Sequence, residues 1–139
     1  MTAAAQSDAA GFPVREGEGP WTDAEITKVH WRLTEDATEL QTEINKSESE
    51  IADRLGDSVS DAGDDQAGIG AKAFEREHEL SLTYNARELL AQTERALARI
   101  DAGSYGSCES CGEPIGKARL QAFPRATLCV RCKQREERR

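Results

Sequence analysis

The chain has 139 residues, 37% hydrophobic and 5% aromatic against 32% charged, with a formal net charge of −8. Apolar material this thin cannot enclose an enzyme core of ordinary size; it suits a long helical element burying one stripe, joined to a small unit stapled by a metal. Residues 1–102 carry 10 Lys/Arg against 22 Asp/Glu, net −12, and residues 103–139 carry 8 against 4, net +4, a distribution that speaks against duplex DNA binding through phosphate contacts and suits a basic groove on a protein.

Residues 1–20 hold Gly11, Pro13, Gly17, Gly19 and Pro20 without an apolar period, and read as a disordered tail. The start of the chain lacks the charged flank and apolar core of a secretory signal, and no 18-residue apolar run exists, so the reading is cytoplasmic, with no membrane partner. At Trp21-Thr-Asp-Ala-Glu25 the character changes. Thr22 and Glu25 form a capping box, and Trp21 packs on Ile26 as a hydrophobic staple, predicting a helix start.

Ile26, Val29, Leu33, Ala37, Leu40, Ile44, Ile51 and Leu55 then recur at steps of three, four and seven, the seam of a coiled coil, with Ser47 loosening it between Ile44 and Ile51. A second helix is predicted from about residue 71 to 102, with Phe74, Leu82, Ala86, Leu89, Ala96 and Ile100 on one stripe, Leu90 and Leu97 beside it, and Gly103 as its stop. The connection at 56–70 is too short to cross back along helices about 50 Å long, so residues 21–102 are predicted to form an antiparallel hairpin with an acidic tip. The fold class is mainly α: a long antiparallel coiled-coil hairpin followed, over 103–139, by a small four-cysteine zinc finger and a C-terminal helix.

Cys108-Glu-Ser-Cys111 and Cys129-Val-Arg-Cys132 give C-x2-C-x17-C-x2-C, the spacing of one tetrahedral Zn²⁺. Each pair fits a tight knuckle, and Gly112 permits the bend that aims amide groups at sulfur. Four thiolates on Zn²⁺ leave a charge of about −2, which Lys117, Arg119, Arg131 and Lys133 can offset as a basic finger face. A zinc saturated by protein ligands cannot activate water, so the metal reads as structural and the protein as a non-enzyme. A redox switch that releases zinc on cysteine oxidation stays open as a second reading.

At the tip, Asp57, Asp61, Asp64 and Asp65 read either as a solvated turn or as groups that reach a metal or basic residue inside a channel. Their spacing does not match a calcium loop. His30 and His78 are predicted to lie apart and to share no metal. The basic end, residues 131–139, is interrupted by glutamates and lacks interleaved aromatics, which favours docking or solubility over nucleic acid.

Phe74-Glu-Arg-Glu-His-Glu-Leu-Ser-Leu82, Gly106-Ser-Cys-Glu-Ser-Cys-Gly-Glu-Pro-Ile-Gly-Lys-Ala-Arg-Leu120 and Pro124-Arg-Ala-Thr-Leu-Cys-Val-Arg-Cys-Lys133 together resemble the DksA/TraR family of bacterial zinc-finger transcription regulators. The resemblance covers about residues 21–139. It implies a monomeric factor that binds RNA polymerase core or holoenzyme rather than a DNA sequence. The hairpin would enter the secondary channel, bringing acidic tip residues toward the active centre, with the finger at the rim. Carried over to this sequence, the tip residues are Asp61, Asp64, Asp65 and Ala67. The family's D-x-x-D-x-A pattern is met by Asp61 and Asp64 with Gln66 in the alanine place, or by Asp65 and Ala67 with the first aspartate lost. Where members responsive to guanosine tetraphosphate carry a Lys and an Arg, this chain has Gln92 and Phe123 beside Lys133, so that response is not carried over. The alternative reading is a zinc-stapled coiled-coil adaptor for another protein.

Overall fold

The computed structural model describes residues 9–60 and 66–138, side chains over 54–60 and 66–69 aside. A single 3-10 turn, Ala9–Gly11, precedes four helices: α1 (Asp23–Ser60), α2 (Gln66–Ala102), α3 (Lys117–Ala122) and α4 (Val130–Glu137). Among the described residues there is no strand, only an isolated bridge between Ser107 and Pro114. Among the described residues no helix is long and apolar enough to cross a membrane.

The capping box forms as expected. Thr22 N donates to Glu25 Oε1 at 2.9 Å and Glu25 N donates to Thr22 Oγ1 at 3.2 Å, satisfying two amides that the first turn would leave open. Trp21 and Ile26 are both buried beside it. At the far end of α2, Gly103 takes φ 79°. Gly103 N then reaches Ile100 O at 3.1 Å and Ser104 N reaches Arg99 O at 2.9 Å. That pairing is a Schellman motif, and only glycine enters the left-handed region there at no steric cost.

Two compact units result, and they do not follow the expected boundary at residue 103. One is Ala37–Ala91; the other joins the residues up to Asp36 to those from Gln92 onward. Within the first, Glu48 pairs with Arg87, and Ile51 and Ala52 share a shallow groove with Leu80, Thr83 and Tyr84. Rising numbers on α1 meet falling numbers on α2, as an antiparallel pair requires. The α1 seam is as read up to Ile51: Ile26, Val29, Leu33 and Ile44 are buried, and Ala37, Leu40, Ser47 and Ile51 half-buried, while the Leu55 side chain lies outside the described residues.

The α2 stripe holds at Ala86, Ala96 and Ile100 and departs from the expectation at the other positions. Phe74, Leu82 and Leu89 are exposed, whereas Thr83, Ala86, Thr93, Ala96 and Ile100 are buried and Leu90 half-buried. Threonine can take a seam position because its hydroxyl folds back on the helix: Thr83 Oγ1 donates to Glu79 O at 3.0 Å. A count of apolar residues misses such positions and is drawn to exposed leucines.

The helices also run further than expected, α1 through Gly56 to Ser60 and α2 from Gln66 through Gly68 and Gly70. Glycine in a helix costs only about 1 kcal/mol relative to alanine, which flanking turns can absorb. Of the expected tip residues, Asp61, Asp64 and Asp65 lie outside the described residues, and Ala67 lies in α2 with its side chain outside them.

The described part of the expected tail, residues 9–20, is instead packed. Ala9 and Phe12 are 2% and 3% exposed and join Trp21, Ile26, Val29, Leu33, Ala96, Ile100, Tyr105, Ile115 and Leu120 in one cluster that also takes in Cys108 and Cys132. Phe12 meets the Tyr105 ring edge-on, and Trp21 tilts against it. The segment is anchored by Glu18, whose carboxylate accepts hydrogen bonds from Arg15 N (2.7 Å), Lys117 N (2.9 Å) and Ala118 N (3.0 Å). Glycine and proline set the path here; a few well-placed apolar residues, not a periodic stripe, hold it.

Phe12→Ala is expected to lower stability by about 3 kcal/mol in denaturant titration. Phe74→Ala, on the exposed flank, should cost no more than about 0.5 kcal/mol. Burial raises the Glu18 carboxyl, but the three amide donors outweigh it and hold the group below its ordinary 4.5. Its contribution is therefore complete above pH 4.5 and lost as pH falls through the lowered value. Glu18→Gln should flatten this part of the acid limb when the denaturant midpoint is followed below pH 4.5.

Candidate metal centre

The four sequence-predicted cysteines converge. Their Sγ atoms all lie within 4.8 Å of one another, and Cys111 Sγ stands 3.8 Å from Cys129 Sγ. A Zn²⁺ bonded to four sulfurs at about 2.3 Å in a tetrahedron separates them by about 3.8 Å, so the donor set fits that ion in number, type and spacing. Among the described residues it is the only group of three or more His, Cys, Asp or Glu placed to hold a metal. His30 faces Asp101 at 3.9 Å and His78 belongs to the Ala37–Ala91 unit, so neither contributes.

Each knuckle follows from its local sequence. In the first, Gly112 at φ 79° closes the turn, with Gly112 N donating to Cys108 O at 3.0 Å and Cys108 N to Glu113 O at 2.8 Å. In the second, Cys129 is extended (φ −69°, ψ 167°) immediately before α4, and Lys133 N donates to Cys129 O at 2.9 Å, so Cys132 rides the first turn of a helix. Glu109 N donates to Thr127 O at 2.9 Å and ties one knuckle to the other.

Electrostatics in the quartet favour a bound cation. Burial raises the Cys108 thiol, but amides of Cys111, Cys129 and Ser110, with the Cys111 side chain, bring it down to about 6. At Cys132 the Ser110 side chain lowers the thiol, while burial and the sulfurs of Cys129, Cys108 and Cys111 together push it up to about 11. Sulfurs this close cannot all be anions unless a positive ion sits between them.

Of the predicted basic finger face, two cations are paired within the fold and two are exposed on α4. Lys117 is engaged elsewhere, with Nζ 2.7 Å from Glu25 Oε1, 3.2 Å from Pro20 O and 5.7 Å from the Trp21 ring centroid. Arg119 donates from Nε to Leu128 O at 3.3 Å and stacks over Phe123. Arg131 and Lys133 are exposed on α4, Lys133 facing Glu137 at 4.0 Å. The sequence reading missed Arg99, whose Nη2 donates to Ser107 O at 2.6 Å and Ser104 O at 3.2 Å, leading the chain from α2 into the first knuckle. Arg99 and Arg95 both face Glu109 at 3.8 Å. The lone sequence signal for this was an arginine four residues before a helix-stopping glycine.

The prokaryotic dksA/traR C4-type zinc finger family matches residues 103–138. An RNA polymerase-binding transcription factor DksA of Caulobacter vibrioides is 44% identical over 75 residues, 54% of this chain and 53% of that protein, so the match spans about half the relative's length. The protein of that name from Escherichia coli K12 is 30% identical over 125 residues, 87% of this chain and 78% of its own. Among solved structures, transcription factor DksA2 from Pseudomonas aeruginosa aligns at a TM-score of 0.67 with 32% identity, covering 83% of this chain and 84% of that one. An RNA polymerase-binding regulator from Chlamydia trachomatis aligns at 0.52 with 28% identity, covering 86% and 94%.

Arg99→Ala leaves two carbonyls of the approach to the first knuckle without their donor and is expected to cost about 1–3 kcal/mol in thermal or denaturant unfolding. Arg95→Ala, whose side chain is 54% exposed and makes only the long pairing to Glu109, should fall within about 0.5 kcal/mol of wild type.

Proposed function

The chain belongs to the DksA/TraR family, and on that premise we propose that it regulates transcription by binding RNA polymerase directly, as a non-enzyme working in the cytoplasm. The observation that carries the reading is where the charge sits. The two-helix unit Ala37–Ala91 has 5 Lys/Arg against 13 Asp/Glu, net −8, equal to the net charge of the whole chain. An acidic helical pair is repelled by DNA and drawn to a basic protein channel. Phe74, Leu80, Leu82 and Tyr84, each at least half exposed, offer apolar contact beside that charge.

In this reading the hairpin enters the secondary channel and Asp61, Asp64, Asp65 and Ala67 approach the active centre. Arg131 and Lys133 then meet the rim, while Lys117 and Arg119 serve the finger's own packing. The protein acts as a monomer. It alters initiation complexes by binding successive ones unequally, since only differential affinity can shift their populations. One Zn²⁺, held by Cys108, Cys111, Cys129 and Cys132, is structural: with four protein sulfurs no position is open for a substrate or water. No response to guanosine tetraphosphate is carried over, because Gln92 and Phe123 stand where a Lys and an Arg would be.

Hydroxyl radicals generated by Fe²⁺ in place of the polymerase's active-site Mg²⁺ should cut this protein within about residues 56–70. Cuts elsewhere, or none from a demonstrated complex, would place the docking site outside the channel and favour an adaptor role. Asp64→Asn combined with Asp65→Asn should leave polymerase affinity nearly unchanged and abolish the effect on multi-round transcription. Cys111→Ser should cost at least about tenfold in Zn²⁺ affinity and disorder the knuckle resonances by NMR, with most far-UV helicity retained.

A further inference from the structure

We propose that residues 9–22 form a strap that clamps α3 to the base of the long helices independently of the metal, so that the zinc-free protein keeps part of its finger docked. Two sets of ties hold the C-terminal region. The metal set consists of cysteines alone, and it gathers the stretches around Cys108–Cys111 and Cys129–Cys132. α3 lies between them and is tied by other means.

Glu18 closes the first two amides of α3, and Lys117 reaches back to Pro20 O and Glu25. Arg32 Nη1 donates to Gln121 O at 3.1 Å, and the buried Tyr105 hydroxyl donates to Pro124 O at 2.9 Å. Leu120 is 0% exposed and Ile115 is 1% exposed, in the cluster that Phe12 and Trp21 close. None of these ties passes through a sulfur.

A helix of six residues does not stand alone in water, so α3 exists where its ends are bonded and Leu120 is buried. The strap supplies the bonds at its start. The crossing is fitted to glycine: Gly116 has φ 114°, and a Cβ there would lie 2.9 Å from Arg15 Cδ. Cys108 and Cys132 belong to the same apolar cluster, so in a finger emptied of metal their side chains stay close to the docked core while the knuckle turns around them open. The strap thus preorganises the site for reloading.

Amide hydrogen exchange of the reduced full-length chain, zinc-loaded and zinc-stripped, tests this. In the stripped wild type, the knuckle amides of Cys108, Gly112 and Lys133 should lose protection, while Leu120 and Phe123, bonded to Gly116 O and Arg119 O, should change by less than about threefold. In Glu18→Ala, and separately in Gly116→Val, the zinc-loaded chain should keep its knuckles, but stripping should speed exchange at Leu120 and Phe123 about tenfold or more. The proposal is overturned if Leu120 and Phe123 lose protection together with Cys108 in the stripped wild type, or if folded variants behave as wild type does. The wild-type arm decides by itself should a variant fail to fold.

Discussion

Burial of Trp21, Leu33, Tyr105, Ile115 and Leu120 in one cluster joins the segment before α1, the bases of both long helices and the finger. Each side chain contributes about 1.5–3 kcal/mol by leaving water, and none could be buried by its own segment. The finger has too few large apolar residues to close around Tyr105, and the helix pair ends before it could cover Trp21. That mutual dependence is why the finger and the helix bases form one compact unit rather than two. It also places Cys108 and Cys132 against a packed surface.

Charge and packing are handled in different parts of the chain. The Ala37–Ala91 unit carries the surplus acid and a seam relaxed by Ser47, Thr83 and half-buried leucines. The unit with the finger is neutral in sum and holds most of the fully buried side chains. The chain thus keeps its surplus acid and its fully buried side chains in different units. Glu18 and Glu25 are spent on amides and Lys117 inside the fold, and the Lys117 side chain with the Thr22 amide lowers the Glu25 carboxyl.

Much of this was legible from the residue order alone. The C-x2-C-x17-C-x2-C spacing picked out the four cysteines that converge, because each knuckle is closed by neighbouring residues. The capping box at Thr22 and Glu25, the glycine stop at Gly103 and the α1 seam were readable for the same reason: each is decided within one or two turns of chain.

What the tertiary structure alone decided lies where partners are far apart in sequence. Glu18 bonds to Lys117 and Ala118 about a hundred positions away, and Phe12 is buried by Tyr105, so a segment poor in pattern becomes fixed by groups it could not announce. Likewise Thr83 and Thr93, not Leu82 and Leu89, face the seam of α2, because burial is set by rotation against the opposite helix and a threonine can internalise its hydroxyl. Local sequence determined the cysteine knuckles, the start of α1 and the stop of α2, since short-range geometry suffices for them. The phase of α2, the docking of residues 9–22 and the commitment of Lys117 to Glu25 required the fold, since each depends on a surface that exists only after distant segments have packed.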